Sequence, residues 1–500
     1  MKRLNTRYLP LALAFAASGT LAAVRPGTPF ADGMVLQRDA NVAVWGTADP
    51  GEAVKVSFAG NSVSTKADAS GRWRVALPAM GASKESRTME INDLLVRDVL
   101  VGEVWLCSGQ SNAEMPLVSQ GPHFSERQGR LVAQMTRKPY IRYVYASDYK
   151  FSVKPKTQAD YPVVWKKFMP GNLGKDPSFS AMGVYFALEL YSALDVPIGI
   201  VGACQGGTNI DAWTPRSGYA GKESLKAVAD WKVVDKDGWK QEMSHMPIWE
   251  VHQQPTVLWN EMVQPWCPMT MRGFIWYQGC HNAREAHLYC AKMHALYDGW
   301  KTEFENPDLK LYFVQLAPYS DDWYDIQLAQ AKFAAEEPNA SMATTVDIGC
   351  WDDIHPGDKL PVGKRLAALA MQHDYGFADV VGEPPVFKSA EVRDGKAILT
   401  FDNAKGWYVR NDDWSLLSGF ELKDDDGTWK AARLVNADHG AKERKPYATS
   451  GWVDGDKIVL EADGVARPAG VRYLHEKPWQ GSLLSVSGLA LGPFEADFEN

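Results

Sequence analysis

The sequence contains few cysteines and no pair of them at the spacing of a structural zinc site. Its 500 residues include six cysteines, and no two of them form a Cys-x-x-Cys pair. A zinc finger or ribbon is therefore not expected. Beyond the first residues, the sequence also lacks an apolar run of about 20 residues, so no membrane-spanning helix is predicted.

Long runs of basic residues are absent as well. The formal net charge is −8, which argues against nucleic acid as a partner. Aromatic residues are plentiful, with 19 Trp and 19 Tyr. Their flat faces suit sugar rings, although aromatic side chains are also common in cores and interfaces.

The first 23 residues have the pattern of a signal peptide. The apolar stretch Leu9–Ala17 is too short to cross a bilayer, and small residues follow it. Positive charges precede it at Lys2, Arg3 and Arg7. We expect an exported protein, periplasmic or secreted, that begins near Val24. The alternative is a buried N-terminal helix.

The remaining chain divides into three regions by its hydrophobic pattern. Residues 24–100 alternate apolar and polar positions, as in "AVKVSF", which predicts a β-sandwich domain. Residues 101–383 alternate apolar strands with amphipathic helices, which predicts a catalytic α/β domain with a parallel sheet. Within it, residues 218–252 fit no clear element and are interpreted as an insertion or lid. Residues 384–500 return to a β-rich pattern.

Polar residues follow the predicted strands of the central region. Ser111 comes after "EVWLCSG", Gly206 and Gly207 after "PIGIVGAC", and Asn282 after "FIWYQG". Ligands bind beyond the carboxyl ends of strands in open α/β sheets. A hydroxyl, a glycine N–H and an asparagine amide can together form a nucleophile and its oxyanion hole.

A general base is available in the loop "WDDIHPGDK". His355 lies there, and Asp352 or Asp353 could orient its imidazole. Simpler interpretations are that Ser111 caps a helix and that His355 is a structural loop residue. The α/β-hydrolase elbow Gly-x-Ser-x-Gly is absent from the chain, which points to a different hydrolase architecture.

Several blocks of the sequence resemble the sialate O-acetylesterase family, a branch of the SGNH (GDSL-like) hydrolases. They occur in family order and include "MVLQRDANVAVWGTADPGE", "DVLVGEVWLCSGQSNAEMPL", "VPIGIVGACQGGTNIDAW", "GFIWYQGCHNA", "DIHPGDKLPVGKRLA" and "GVRYLHEKPW". The resemblance implies a three-layer α/β/α domain of the SGNH type. It also implies that Ser111 is the nucleophile, that His355 is the base, and that Gly206 or Gly207 completes the oxyanion hole with Asn282.

The chain departs from the family pattern near the expected site. Family members usually have Gly-Glu-Ser-Asn where this chain has Gly279-Cys280-His281-Asn282, and often an aspartate in place of Cys350. Ala113 replaces a common methionine. These changes motivate the hypothesis that Cys280 and Cys350 form a disulfide beside the pocket. The alternative is two separate buried thiols.

Other chemistries have weaker support. His281, His287 and His294 do not share one helix face, and Cys290 adds little, so no metal site is predicted. No pair of carboxylates stands out as a glycosidase pair. The expected reaction needs neither a metal nor an organic cofactor. Gln110 and Gln278 flank the motifs and are expected to bind the sugar or to position the loops.

The sequence thus predicts a serine esterase that hydrolyses O-acetyl esters on carbohydrates. Sialate O-acetylesterase activity is the first expectation, and the alternative substrate is acetylated xylan or another polysaccharide. An alternative from another class is a glycan-binding protein whose esterase site has decayed. The aspartate that serves His355 stays open, as does a Ser–His dyad that needs neither. No oligomeric state is predicted.

Overall fold

The structure is a computed structural model that describes most of the chain. It covers residues 24–117, 137–146, 151–169, 179–238, 251–349, 352–410, 419–438, 450–453, 455–475, 481 and 483–498. The predicted signal peptide, residues 1–23, lies outside the described residues, as does Cys350.

The protein is a mixed α/β protein whose strands fall into three groups. The N-terminal strands are β1 (Arg25–Pro26), β2 (Val35–Gln37), β3 (Val42–Thr47), β4 (Ala53–Phe58), β5 (Asn61–Lys66), β6 (Arg72–Leu77), β7 (Ser83–Ile91) and β8 (Leu94–Gly109). The central strands are β9 (Lys138–Tyr145), β10 (Lys166–Phe168), β11 (Ile198–Cys204), β12 (Gly273–Tyr277), β13 (Lys310–Val314) and β14 (Ala340–Ala343). The C-terminal strands are β15 (Val386–Arg393), β16 (Lys396–Asp402), β17 (Trp407–Arg410), β18 (Phe420–Lys423), β19 (Trp429–Ala431), β20 (Arg433–Leu434), β21 (Ala437–Asp438), β22 (Ser450–Val453), β23 (Ile458–Glu461), β24 (Gly470–Tyr473), β25 (Leu483–Ser485) and β26 (Phe494–Asp497).

The α-helices of the described residues lie in the central region. They are α1 (Ser111–Glu114), α2 (Ala181–Leu194), α3 (Lys226–Ala229), α4 (Ala286–Glu303), α5 (Tyr324–Glu336) and α6 (Leu360–Asp374). Ser180 caps the start of α2, because its hydroxyl accepts the backbone N–H of Gly183 at 3.1 Å. Such a bond satisfies one of the free donors at the start of a helix.

The central strands form the predicted parallel sheet, in the order β9-β11-β8-β12-β13-β14. Short β10 pairs antiparallel with β9 at one edge. Strand β11 is buried along its whole length, as expected for a parallel strand that is covered on both sides. In the register, Gly109 at the end of β8 lies opposite both Cys204 of β11 and Tyr277 of β12. The residues that follow these three strands therefore meet at one edge.

Helices pack against both faces of this sheet. Trp105 contacts Phe186 of α2, with ring centroids 5.1 Å apart, and Trp276 contacts Trp300 of α4 at 6.1 Å. Trp105 pairs with Gly273, three residues before Trp276, so the two indoles point to opposite faces. Helix α6 packs beside α2, and α5 packs beside α4.

Strand β8 links the N-terminal strands to the central sheet. Its first half pairs with β2 and β7, and its second half pairs with β11 and β12. Glu103 lies where the partners change and is fully buried. Its carboxylate accepts hydrogen bonds from Arg38 at 2.5 Å and from Arg272 at 3.3 Å. The buried charge is thus paired, which a buried carboxylate requires.

The C-terminal region has the β-rich structure that its sequence predicts. Its strands form three four-stranded sheets, β15-β16-β23-β20, β21-β22-β17-β25 and β19-β18-β24-β26. Their buried side chains form a hydrophobic cluster separate from that of the first two regions. None of the helices in the described ranges is long and apolar enough to cross a bilayer.

The stretch that fits no clear element, residues 218–252, is mostly short turns where it is described. It contains α3 and single 3₁₀ turns at Arg216–Tyr219, Glu223–Leu225 and Val251–Gln253. Residues 239–250 lie outside the described residues.

Candidate active site

Ser111 lies just after the end of β8, where the chain turns sharply. Gly109 has a φ of +136°, and a Cβ there would lie 2.2 Å from the carbonyl oxygen of Tyr277. Only glycine accepts both conditions. Gln110 precedes the helix, and Ser111 is the first residue of α1. The interpretation of Ser111 as a helix cap is therefore wrong.

The Ser111 hydroxyl contacts the imidazole of His355. The distance from Ser111 Oγ to His355 Nε2 is 2.8 Å, a normal hydrogen bond between residues 244 positions apart. Both residues are partly exposed, so a solute can reach them. Asp353 accepts the backbone N–H of His355 at 2.8 Å, whereas Asp352 is exposed to solvent.

The glycine loop after β11 lies against the serine. A Cβ on Gly206 would be 3.3 Å from the Cβ of Ser111, so the two residues are in close contact. The Gly206 N–H donates to Glu114 Oε2 at 2.7 Å. Gly207 has a φ of +67°, and its carbonyl accepts an N–H of Gln253 at 2.7 Å. The predicted Gly206 donor is thus turned toward a negatively charged oxygen.

Asn282 is fully buried behind this loop. Its Oδ1 accepts the Ile210 N–H at 2.9 Å and the Gln278 amide at 2.7 Å. Its Nδ2 donates to Glu285 Oε2 at 3.2 Å, which engages one of the two amide hydrogens. Asn282 therefore connects the loops that follow β11 and β12.

The two glutamines predicted beside the motifs make loop contacts. Gln278 has no exposed surface, and it also donates to the carbonyl of Thr208 at 3.0 Å. Gln110 is 3% exposed, and its Oε1 accepts the backbone N–H of Gly279 at 3.2 Å. These contacts favour the loop-positioning alternative over direct contact with a sugar.

A buried lysine, which the sequence analysis did not single out, joins the serine turn to the histidine loop. Lys359 Nζ donates to Asn112 Oδ1 at 2.6 Å and to the Pro356 carbonyl at 2.8 Å. Asn112 in turn donates to the carbonyl of Ile354 at 3.0 Å. Burial lowers the pKa of Lys359 to about 7, against nearby negative groups that raise it. The sequence feature that could have pointed to Lys359 is its position, four residues after His355.

A second buried lysine supports the Asn282 loop. Lys292 on α4 is fully buried and donates to Asp211 and Glu285, both at 2.7 Å. Burial raises the pKa of Asp211 despite this neighbour. Glu285 also accepts from Asn282, so the lysine completes a continuous network. No spacing in the sequence predicts that Lys292, Asp211 and Glu285 come together.

Cys280, beside the expected oxyanion hole, is a free thiol in the structure. Burial raises its pKa to about 12, so the thiol is protonated at neutral pH. The disulfide hypothesis is therefore contradicted for Cys280, and its proposed partner Cys350 lies outside the described residues.

A hydroxyl bonded to an imidazole at the carboxyl edge of a parallel sheet has the arrangement of a hydrolase that uses nucleophilic catalysis. Similarity to known proteins indicates the type of substrate that this hydrolase cleaves. The family of carbohydrate esterases described as sialic acid-specific acetylesterases matches residues 101–372.

Individual relatives agree with this match. The sialate O-acetylesterase of Pongo abelii is 32% identical over 418 residues, 73% of this chain and 74% of the relative. The human sialate O-acetylesterase is 30% identical over 482 residues, 84% of this chain and 86% of the relative. A crystal structure of a carbohydrate acetylesterase from Xanthomonas citri is 32% identical, with a TM-score of 0.78, and the match covers 95% of this chain and 100% of that chain.

The protein is therefore a carbohydrate ester hydrolase. It belongs to the family of sialic acid-specific acetylesterases, as the resemblance of its sequence blocks predicts.

Proposed function

We propose that Ser111 is the nucleophile and His355 the general base of a carbohydrate O-acetylesterase. The observation that carries this proposal is the 2.8 Å hydrogen bond between Ser111 Oγ and His355 Nε2. A nucleophile and its base must lie within hydrogen-bonding reach of one another. Both residues are partly exposed, so a substrate in solution can reach them.

The reaction follows from these two groups. His355 takes the proton from Ser111 as the oxygen attacks the acetyl carbonyl, and it then gives a proton to the departing sugar oxygen. Water attacks the acetyl-serine with His355 again as base, and acetate leaves. These steps use side chains and backbone of this chain, with no metal or organic cofactor.

The developing negative charge is stabilised by backbone donors next to Ser111. The Gly206 N–H donates to the Glu114 carboxylate at 2.7 Å, so it would donate to an oxyanion once that carboxylate moves aside. We assign the oxyanion hole to the Ser111 N–H, the Gly206 N–H and the second amide hydrogen of Asn282. The carbonyl of Gly207 bonds to Gln253, which fits a role in loop support.

Asp353 is the better candidate for the aspartate that supports His355. Its carboxylate accepts the His355 backbone N–H, whereas Asp352 is exposed. Asp353 would hold the loop that carries the imidazole, and its negative charge would stabilise the imidazolium.

The substrate that we propose first is an O-acetylated sialic acid, because the curated relatives are named sialate O-acetylesterases. An acetylated polysaccharide such as xylan is the second candidate. The Xanthomonas citri relative supports this second candidate, since that protein is described as a carbohydrate acetylesterase without a particular sugar. The intact Ser–His contact argues against a decayed, purely glycan-binding site.

The finer architecture is part of the same proposal. Helices on both faces of the parallel sheet fit a three-layer domain of the SGNH type at residues 101–383. We further propose that residues 24–100 form a β-sandwich domain and that residues 384–500 form a β-rich domain. Residues 218–252 would be an insertion that binds the leaving sugar. We also propose that the protein is exported.

The test is acetate release from O-acetylated sialic acid and from acetylated xylan, measured side by side. We expect release that Ser111→Ala abolishes and that Ser70→Ala, a change at an exposed turn, leaves intact. The faster substrate identifies the class. Release that survives Ser111→Ala would refute the nucleophile, and folded protein without release from either substrate would favour the glycan-binding alternative.

A further inference from the structure

Three side chains with metal-binding atoms meet where α4 passes the end of α5. Cys290 and His294 are four residues apart on α4, so they lie one turn apart on the same face. Glu336 is the last residue of α5. Its Oε2 lies 2.9 Å from His294 Nε2 and 3.4 Å from Cys290 Sγ. The three ligand atoms all lie within 4.8 Å of one another.

We propose that Cys290, His294 and Glu336 form a site for one divalent zinc-class metal ion, separate from the Ser111 site. Thiolate, imidazole and carboxylate are the three ligand types that zinc uses in proteins. Zinc bonds of about 2.0–2.3 Å in a tetrahedral site separate the ligand atoms by about 3.3–3.8 Å. The observed cluster needs only small side-chain adjustments to reach these separations.

Neighbouring groups hold the ligands in place. The His294 ring packs edge-on against Phe333, with centroids 4.8 Å apart. Lys332 Nζ lies 3.8 Å from Oε1 of Glu336, the carboxylate oxygen that does not face the cluster. Oε2 of Glu336 therefore stays directed toward Cys290 and His294. Such outer contacts orient metal ligands. The side chains of His294 and Glu336 are 26% and 44% exposed, so an ion can enter from solvent.

The ion would fasten α4 to α5 and leave one position for water. On binding, the Cys290 S–H bond breaks, its proton goes to solvent, and a sulfur–zinc bond forms without any redox change. Helix α4 also carries Lys292, which bonds to Asp211 and Glu285 behind the active site. The proposed ion would thus join two helices outside the Ser111 site, and the inference does not depend on the identity of the ester substrate.

The test uses the full chain, freed of metal by chelation and kept reduced. Titration with cobalt reports a thiolate ligand through its charge-transfer absorption, and titration with zinc gives the affinity and the stoichiometry. We expect one ion per chain and a melting temperature that rises with zinc. Cys290→Ser should remove the charge-transfer band, and both Cys290→Ser and His294→Gln should weaken zinc binding at least about tenfold.

His287→Gln is the matched control, because His287 is an exposed histidine on the same helix and lies outside the cluster. It should bind zinc as tightly as the wild type. The proposal is overturned if the wild-type chain binds neither metal, which would leave the cluster as an ion pair between His294 and Glu336. It is equally overturned if zinc binding and the cobalt band persist in the Cys290→Ser, His294→Gln double variant.

Discussion

Replacing Lys359 with methionine should lower activity while changing the free energy of unfolding only slightly. The substitution keeps the side-chain length and removes the ammonium group from a fully buried position. The lowered pKa of about 7, against an ordinary 10.5, corresponds to about 5 kcal/mol of unfavourable burial of the charged form. The two hydrogen bonds that are lost contribute about 1.5–3 kcal/mol each. The free energy of unfolding at pH 7 should therefore change by less than about 2 kcal/mol.

Stability should also lose part of its pH dependence in Lys359→Met. Between pH 7 and the ordinary lysine pKa of 10.5, the unfolded chain carries a proton on Lys359 that the folded chain has largely released. Wild-type stability therefore rises with pH over this range, by about 2 kcal/mol between pH 7 and about pH 9 from this residue. The variant should lack this contribution.

Activity should fall even though stability does not. Lys359 and Asn112 connect the Ser111 turn to the His355 loop, and their loss loosens the contact between the two reacting groups. A displacement of about 1 Å in such a site lowers the rate up to about 100-fold. We expect kcat on p-nitrophenyl acetate to fall about 10- to 100-fold.

The assays are urea unfolding at pH 7 and at about pH 9, and steady-state hydrolysis of p-nitrophenyl acetate. Lys364→Met is the matched control, because Lys364 lies on α6, the helix that begins directly after Lys359, and its side chain is 54% exposed. It should change neither quantity. A destabilisation of more than about 4 kcal/mol at pH 7, or an unchanged kcat in Lys359→Met, would refute this reasoning.

Three further predictions concern the rest of the site. Gly206→Ala places a Cβ 3.3 Å from that of Ser111 and should lower kcat about tenfold or more without unfolding the protein, as hydrolysis and circular dichroism will check. Asp353→Asn should slow hydrolysis far more than Asp352→Asn, and the reverse order would reassign the role. Lys292→Met leaves the buried Asp211 and the partly buried Glu285 without their cation and should destabilise the fold by about 3–5 kcal/mol at pH 7. This loss should shrink at lower pH, because without the lysine the buried carboxyls take up protons more readily in the folded chain than in the unfolded one. Lys301→Met on the same helix is the control, and equal losses in both variants by urea unfolding would contradict the account.

Much of the fold follows from local patterns in the sequence. Continuous apolar runs mark the parallel strands, and the serine and glycine that follow two of them meet because the strand ends are in register. Ser111 and His355 come together as predicted candidates, 244 residues apart. Because ligands bind at the carboxyl ends of parallel strands, polar residues that follow such strands indicate a site even when no sequence motif is complete.

The side-chain partners could not be derived in this way. The contact between Lys359 and Asn112 spans 247 residues, and nothing in either local pattern predicts it. The departures from the family pattern also suggested a disulfide at Cys280, which is a partly buried free thiol. The spacing of the histidines does not predict the proposed metal site, because its candidate ligands are a cysteine, a histidine and a carboxylate from a second helix.

If Ser111 carries the acyl group during the reaction, covalent labelling should modify this residue. The folded protein would be incubated with a fluorophosphonate, which reacts with activated serine nucleophiles, and then mapped by peptide mass spectrometry. We expect one adduct, on Ser111, which is lost in Ser111→Ala and strongly slowed in His355→Ala. Hydrolysis of acetyl esters by a chain that forms no adduct on Ser111, or forms it equally well without His355, would contradict the account.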